Sequence, residues 1–474
     1  MFSRWICTKT CILTALLAGC GRPEWGPSLP QRRPLGAEYV AIGAAERPHG
    51  VPPAGDAAGI PVEPTDQLTL RTALALALAR NPELASFGWS VREAEAQRLQ
   101  AGLLPNPELE AEFENFGGSG EFRGTRALET TIALGQLIEL GSKREKRMRL
   151  ADQEAKLAGW DYEAKRLQVL TDVAKQFAGV LALQEKLELA REGSDLAKQA
   201  LDVVGKQVDA GKAAPPESQR ARVEVASARI AVARAERELA AARHRLAATW
   251  GAGVPAFARA VGRLEELVVP PSRDVLAPKL AQNPDVARWE TERARRRASL
   301  ALEQARAVPD VKLGVGYRHF RETEDNDRAL LMTVGVPLPL FDRNQGGIRK
   351  AQMSLLKAKA EQQAARVKAR ADFEEGYQAL AGAHAEAVSL REEVLPAARR
   401  TYQVARESFR QGKSGYLGLL DAQRTLIEAK AQFVEALASY HQAVVTVEGL
   451  IGEAVHPSDH TKPEAKDKTH ESQE

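Results

Sequence analysis

Cysteine is nearly absent from this chain: of 474 residues only Cys7, Cys11 and Cys20 carry a thiol. Past Cys20, therefore, no disulfide can form within the chain and no thiolate can hold a metal or act as a nucleophile. No later stretch reaches the roughly 20 consecutive apolar residues that a membrane-spanning helix needs. Any span would have to be a β-barrel, the other structure that satisfies every backbone group in hydrocarbon. An excess of one charge is missing too. The 66 basic and 63 acidic residues leave a net charge of +3, with no basic footprint for nucleic acid. Nor is there an HExxH motif or a catalytic triad pattern, so neither an active site nor a cofactor is expected. Aromatic residues make up only 5%. With alanine, leucine, glutamate, arginine and lysine dominant, that scarcity points to long helices rather than a compact globule.

What is present begins at the N-terminus. Arg4 and Lys9 precede a short apolar run, Ile12 to Leu17, which closes on Leu17-Ala18-Gly19-Cys20. This is the pattern of a lipobox, in which a leader covering 1–19 is cut and Cys20 receives lipid. The run is far too short to span a bilayer. Gly21, rather than Asp, follows the cysteine, which by the enterobacterial sorting rule favours the outer membrane. Residues 20–65 are crowded with proline and glycine and read as an extended tether. Residues 453–474 are polar and read as a disordered tail; His456, His460 and His470 there match no metal-site spacing.

Between tether and tail the sequence repeats itself. Asn81-Pro82-Glu83-Leu84 is answered by Asn283-Pro284-Asp285-Val286, Leu104-Pro105-Asn106-Pro107 by Val308-Pro309-Asp310, Gly211-Lys212 by Gly412-Lys413, and Trp250-Gly251 by Ile451-Gly452. Four landmarks in order at a nearly constant offset indicate one duplication, with repeats over 66–255 and 256–452. Each repeat reads as helix, two strands and a pair of long helices. Period-two alternation predicts strands over 108–116 and 126–140 in the first repeat, and over 310–320 and 328–340 in the second. Leu109, Ala111 and Phe113 alternate with Glu108, Glu110, Glu112 and Glu114; Leu313, Val315 and Tyr317 alternate with Lys312, Gly314, Gly316 and Arg318. Segments of about ten residues cross a bilayer when tilted. Four strands are too few to close a barrel, so they form either a soluble sheet or a barrel shared between copies.

Apolar residues at three-four spacing predict long coiled-coil-like helices. The first is read from Ser142 to Glu192, about 50 residues or ~75 Å, with a return helix from Ser194 towards Trp250. The second pair is read over 348–393 and 397–451, turning at Pro396. Gly205, Gly211 and Pro215-Pro216 are expected to bend or break the first return helix.

Lipobox, tether and duplicated helix–hairpin–helix-pair architecture together resemble the TolC-like outer-membrane efflux proteins. Leu104-Pro105-Asn106-Pro107-Glu108-Leu109 leading to Glu114-Asn115-Phe116-Gly117, together with Gln136-Leu137-Ile138-Glu139-Leu140-Gly141-Ser142-Lys143-Arg144, is similar to the CzcC-like heavy-metal branch. Ser142 stands where that branch usually has a second glycine. The resemblance implies a mainly α fold with β-hairpins. Its helix pairs would build a periplasmic α-barrel, and a homotrimer would share one twelve-stranded barrel in outer-membrane lipid. It further implies a periplasmic adaptor (membrane fusion) protein, an inner-membrane RND pump and a heavy-metal cation cargo. The same fold serves drug efflux and type I secretion, and a non-transporting lipid-anchored periplasmic scaffold would share the helices.

Three sets of candidate residues follow. Glu110, Glu112 and Glu114 would line a pore if the apolar strand faces meet lipid, and rings of carboxylates concentrate cations. A solvated strand face is charged for no other reason, however, and Lys312 and Arg318 would partly cancel the field. Arg191, Glu192 and Asp195, with Arg391, Glu392 and Glu393, are placed at the helix turns. There salt links could hold a periplasmic tip shut, or they could be solvated turn charges, each pair contributing less than about 1 kcal/mol. Lys143, Arg144, Lys146, Arg147 and Arg149 form a basic cluster past a strand end, either a membrane-junction feature or a solvated helix face.

Overall fold

The computed structural model describes residue 30 and residues 33–35, 61–321 and 327–455. Cys20 and the tail histidines lie outside them. Each repeat opens with a helix whose start is dictated locally. In the first, strand β1 (Gln67–Thr69) leads to helices α1 (Leu70–Arg80) and α2 (Pro82–Ala101). Asn81 caps α2, its side chain accepting from the Leu84 amide at 2.7 Å, with Pro82 at the first helical position. Strands β2 (Glu108–Glu114) and β3 (Glu129–Ile138) follow, then the long helix α3 (Lys143–Asp209) and its return α4 (Pro215–Ala248). The second repeat begins with strand β4 (Arg259–Val261), which pairs in parallel with β1, and a short helix α5 (Arg273–Leu276). Helix α6 (Pro284–Arg306) is capped by Asn283 in the same manner as α2. Strands β5 (Val311–Phe320) and β6 (Arg328–Gly335) come next. Helices α7 (Gln345–Ser389), α8 (Leu395–Arg410) and α9 (Tyr416–Ile451) complete the repeat.

The four long strands form one antiparallel sheet in the order β2-β3-β5-β6, so β2 and β6 are open edges. The register aligns like with like. Leu109, Leu134, Val315 and Met332 make one row across all four strands, on the opposite face from Glu112, Thr131 and Arg318. The first row is largely solvent-exposed in the single chain.

The chain reverses about 20 residues beyond the sites expected at 191–195 and 391–396. α3 continues to Asp209, ~100 Å of helix at 1.5 Å per residue. It ends at Gly211, which takes φ +71°. The Gly211 amide donates to the Val208 carbonyl and the Lys212 amide to that of Gln207. This is the Schellman pattern, open to a residue without a Cβ. The second repeat repeats it at Gly412, with φ +70° and Lys413 donating to Ser408. Arg191, Glu192 and Asp195 are therefore mid-helix, because Gly193 and Ser194 stay helical, Gly193 lying close under Ile427 of α9. Pro396 does not turn the chain either. A π-turn over Leu390–Val394 joins α7 to α8, the Leu395 amide reaching back to the Leu390 carbonyl, and Pro396 enters at the start of α8. That widened turn absorbs the amide Pro396 lacks. Arg391, Glu392 and Glu393 thus lie on this turn in the middle of a rod.

Midway along the long helices, the core packs Leu68, Leu76, Phe177, Trp250 and Phe257 in the first repeat, and Leu276, Phe373, Tyr440 and Ile451 in the second. Towards the far end Val204, Phe409 and Tyr416 pack where the helix pairs converge. Parts of the expected tether and tail are pinned here. Glu63 accepts from the Trp250 indole at 3.0 Å, Val455 is buried, and Glu453 pairs with Lys279 at 2.6 Å.

Residues 33–35 are held between the two repeats. Glu163 and Arg166, only 2% and 1% exposed, form a bidentate pair on α3 with both contacts at 2.7 Å. Arg166 also donates to the carbonyls of Arg33 and Leu35, while the Arg33 amide donates to Glu163. The Arg33 guanidinium in turn reaches the Ile451 carbonyl at 2.6 Å, and the Leu35 amide donates to the Gly452 carbonyl. A buried ion pair is costly unless its remaining valences are met; here the backbone of residues 33–35 meets them.

Candidate functional site

Alternation along β2 places Glu108, Glu110, Glu112 and Glu114 on one face of the sheet, which also carries Glu129, Thr131, Lys312 and Arg318. The cations stand one strand beyond β3, close enough for their long side chains to reach across. Lys312 lies 2.7 Å from Glu110 and 2.9 Å from Glu108. Arg318 lies 3.4 Å from Glu114 and 3.3 Å from Glu129, and donates to the Thr131 hydroxyl at 2.8 Å. Five carboxylates against two cations leave this face with three negative charges per copy. The candidates Glu110 and Glu114 are therefore charge-paired. Glu112, exposed and opposite Thr131, has no ion pair or hydrogen bond among the described residues.

The basic cluster sits at the base of the sheet, where α2 ends. Arg144 donates to the Gly102 carbonyl at 2.6 Å, and Arg147 to those of Ala101 and Leu103. Arg147 also pairs with Glu139 at 2.6 Å, and Lys143 with Asp310 of the second repeat at 2.7 Å. Two of the five cations, Arg144 and Arg147, thus satisfy the orphan carbonyls at a helix C-terminus, while Lys143 pins the two repeats together at the base of the sheet.

Of the charges expected at a tip, two join neighbouring helices side by side and others pair locally along the chain. Glu192 pairs with Lys430 of α9 at 2.7 Å, Arg191 with Glu236 of α4 at 3.4 Å, and Asp195 with Lys198 one turn on. Arg391 donates to the neighbouring Glu392. A separate acid, the half-buried Glu448 on α9, has its carboxyl pushed up to about 7 by desolvation, despite accepting from the Val455 amide at 3.0 Å. Sequence reasoning missed Glu163, Arg166 and Glu448. The only signal was polar residues on the apolar line of a helix, which a single sequence does not separate from ordinary charge.

Among the described residues, no helix is long and apolar enough to cross a membrane. No group of three or more His, Cys, Asp and Glu side chains is gathered there as for a metal ion.

A four-stranded sheet with one apolar face and two open edges, carried on helical hairpins ~100 Å long, defines a TolC-like outer-membrane channel protein. The chain belongs to the outer membrane efflux protein family, whose pattern it matches twice, over residues 73–252 and 276–453. It is 34% identical over 392 residues to the cobalt-zinc-cadmium resistance protein CzcC of Cupriavidus metallidurans, covering 83% of this chain and 92% of that one. To the nickel and cobalt resistance protein CnrC of the same organism it is 29% identical, covering 62% and 68% of the two chains. A crystal structure of CusC, described in terms of folding and transmembrane channel formation, superposes with a TM-score of 0.67 at 17% identity, over 91% of this chain and 99% of that one.

Proposed function

We propose that this protein is the outer-membrane exit duct of a tripartite system exporting heavy-metal cations. The observation that carries the cargo is the 34% identity to a cobalt-zinc-cadmium resistance protein over nearly the whole of both chains. Three copies would close one twelve-stranded barrel, since four strands with open edges at β2 and β6 leave backbone donors and acceptors that hydrocarbon does not satisfy. The apolar row of Leu109, Leu134, Val315 and Met332 would then meet lipid and the Glu112 face the lumen. Three surplus negative charges per copy favour cations there. The helical hairpins would form the periplasmic duct and meet an adaptor at the reversals around Gly211 and Gly412, with an inner-membrane RND pump supplying the energy. The duct does no chemistry of its own. Lipid on Cys20 would anchor each copy to the outer membrane.

The test is deletion of the gene in a strain with no second channel of this kind, followed by growth on graded cobalt, zinc, cadmium and nickel. Tolerance to at least one metal should fall and return with a plasmid copy. Unchanged tolerance to all four overturns the metal cargo.

A further inference from the structure

The duplication makes each structural junction between the repeats a template for one that the single chain leaves open. The connector from β3 to α3 (residues 139–142) and that from β6 to α7 (residues 336–344) are counterparts. Each ends in a non-glycine residue with left-handed backbone at the helix cap, Ser142 at φ 57° and Asn344 at φ 56°. Both also turn one side to the leading helix of their own repeat. The first does so through Glu139, paired with the Arg147 that donates to the Ala101 carbonyl of α2, and the second through Asn344, which donates to the Glu303 carbonyl of α6 at 2.8 Å.

Their other sides differ. The first connector rests on the second repeat. A Cβ at Gly141 would lie 3.2 Å from the Val308 side chain, the Leu140 amide donates to Asp310 at 2.9 Å, and Lys143 pairs with the same carboxylate. Among the described residues nothing covers the outer side of the second connector: Leu338 is 75% exposed, Leu340 65% and Phe341 90%. The counterpart of Val308 and Asp310 in the first repeat is Leu104 and Asn106. Leu104 is 65% exposed and borders an open groove with Ala101, Leu103, Pro105 and Arg147. Within one chain these two surfaces cannot meet, because they flank opposite edges of the sheet.

We infer that the second connector of one copy seats in the Leu104 groove of the next, rebuilding between chains the junction that Gly141 and Val308 make within one. This rests on the proposal that copies share a barrel. Antiparallel pairing of β6 with β2 of a neighbour brings the end of β6, at Gly335, beside the start of β2, at Glu108. Both patches lie at that helix-facing end. The occupant is thus a second copy of this chain, with Phe341 and Leu340 the apolar anchors. Pro337 and Pro339 remove two amides from a segment that would otherwise extend β6.

The test is proximity. Full-length protein carrying Leu104→Cys with Arg343→Cys, and separately Leu104→Cys with Phe341→Cys, is oxidised in outer-membrane vesicles and run on non-reducing gels. Single-cysteine variants report any contribution from Cys20. A disulfide needs Cβ atoms about 3.8 Å apart, so at least one pair should give a dimer-to-trimer ladder absent from the single variants. Light scattering on the detergent-solubilised protein reports assembly independently. A trimer that cross-links at neither pair overturns the docking and leaves the shared barrel standing; monomers overturn both. In a trimer, quenching of a fluorophore on Phe341→Cys by brominated lipid, with no ladder, assigns the connector to the bilayer and overturns the docking.

Discussion

Glu112 is the carboxylate on which the proposed cation preference would turn. Its neighbours Glu108 and Glu110 share Lys312, while Glu114 and Glu129 share Arg318. Exposed pairs of this kind contribute at most ~1 kcal/mol to stability, but if this face lines the proposed lumen they would decide which charge a passing ion meets. In planar bilayers under a salt gradient, Glu112→Gln should shift the reversal potential towards zero, whereas Lys312→Met should move it the other way. If neither variant moves it, the polar face of the sheet lies outside the conduction path. A second residue acts through protons. Glu448 has a folded pKa of about 7 against an ordinary 4.5, so the native state binds a proton that the unfolded chain has released. Its contribution is complete below pH 4.5 and falls as the pH rises towards 7, by ~3 kcal/mol at 1.36 kcal/mol per unit. Glu448→Gln should therefore raise the thermal midpoint at pH 7.5 and leave it nearly unchanged at pH 4.5. An equal shift at both would show that Glu448 is not protonated in the fold.

At the scale of elements, the two reversals carry the heaviest local constraint. No side chain or backbone atom approaches within 4 Å of a Cβ added at Gly211 or Gly412, so the cost of a substitution there is the left-handed backbone alone. Gly211→Val should cost roughly 1–2 kcal/mol, read as a lowered midpoint in thermal unfolding, with Gly211→Asn closer to wild type. Strands were readable because alternation of Glu with Leu, Ala and Phe over β2 is a period no helix shares. The reversals were harder. Gly193-Ser194-Asp195 has the composition of a turn, yet it lies inside a continuous helix whose packing runs on past it. The true signal was positional: glycine just past one helix and proline opening the next, as in Gly211 with Pro215. Pro396 misled for a different reason, since a π-turn can supply the slack that a missing amide requires. The ion pairs Glu192–Lys430 and Arg318–Glu114 join residues more than 200 positions apart, and no local pattern encodes such a meeting. Of the candidate lining, the sequence carried the alternation and the charges; which carboxylate lacks a cation depended on strand register.

At the scale of the molecule, the duplication is geometrical as well as historical. Two repeats bring two asparagine caps, two left-handed connector caps and two Schellman reversals to matching positions. The chain is thus half-way to its own symmetry, with an internal junction that is finished and a terminal one that is open. The clamp on residues 33–35 fixes a length. Lipid on Cys20, as proposed, would leave twelve residues between it and Arg33, at most ~45 Å of extended chain. From the start of α3 at the sheet base to Glu163 is ~30 Å of helix. The segment would then act as a mooring line with ~15 Å of slack, able to lose about four residues and no more. Removing three residues between Cys20 and Arg33 should leave assembly intact. Removing seven should make lipid attachment and the Arg166 clamp mutually exclusive, visible as protease cleavage appearing beside Arg33 in the lipidated protein. Protection after both deletions would mean that the anchor and the clamp are not joined by this stretch under tension.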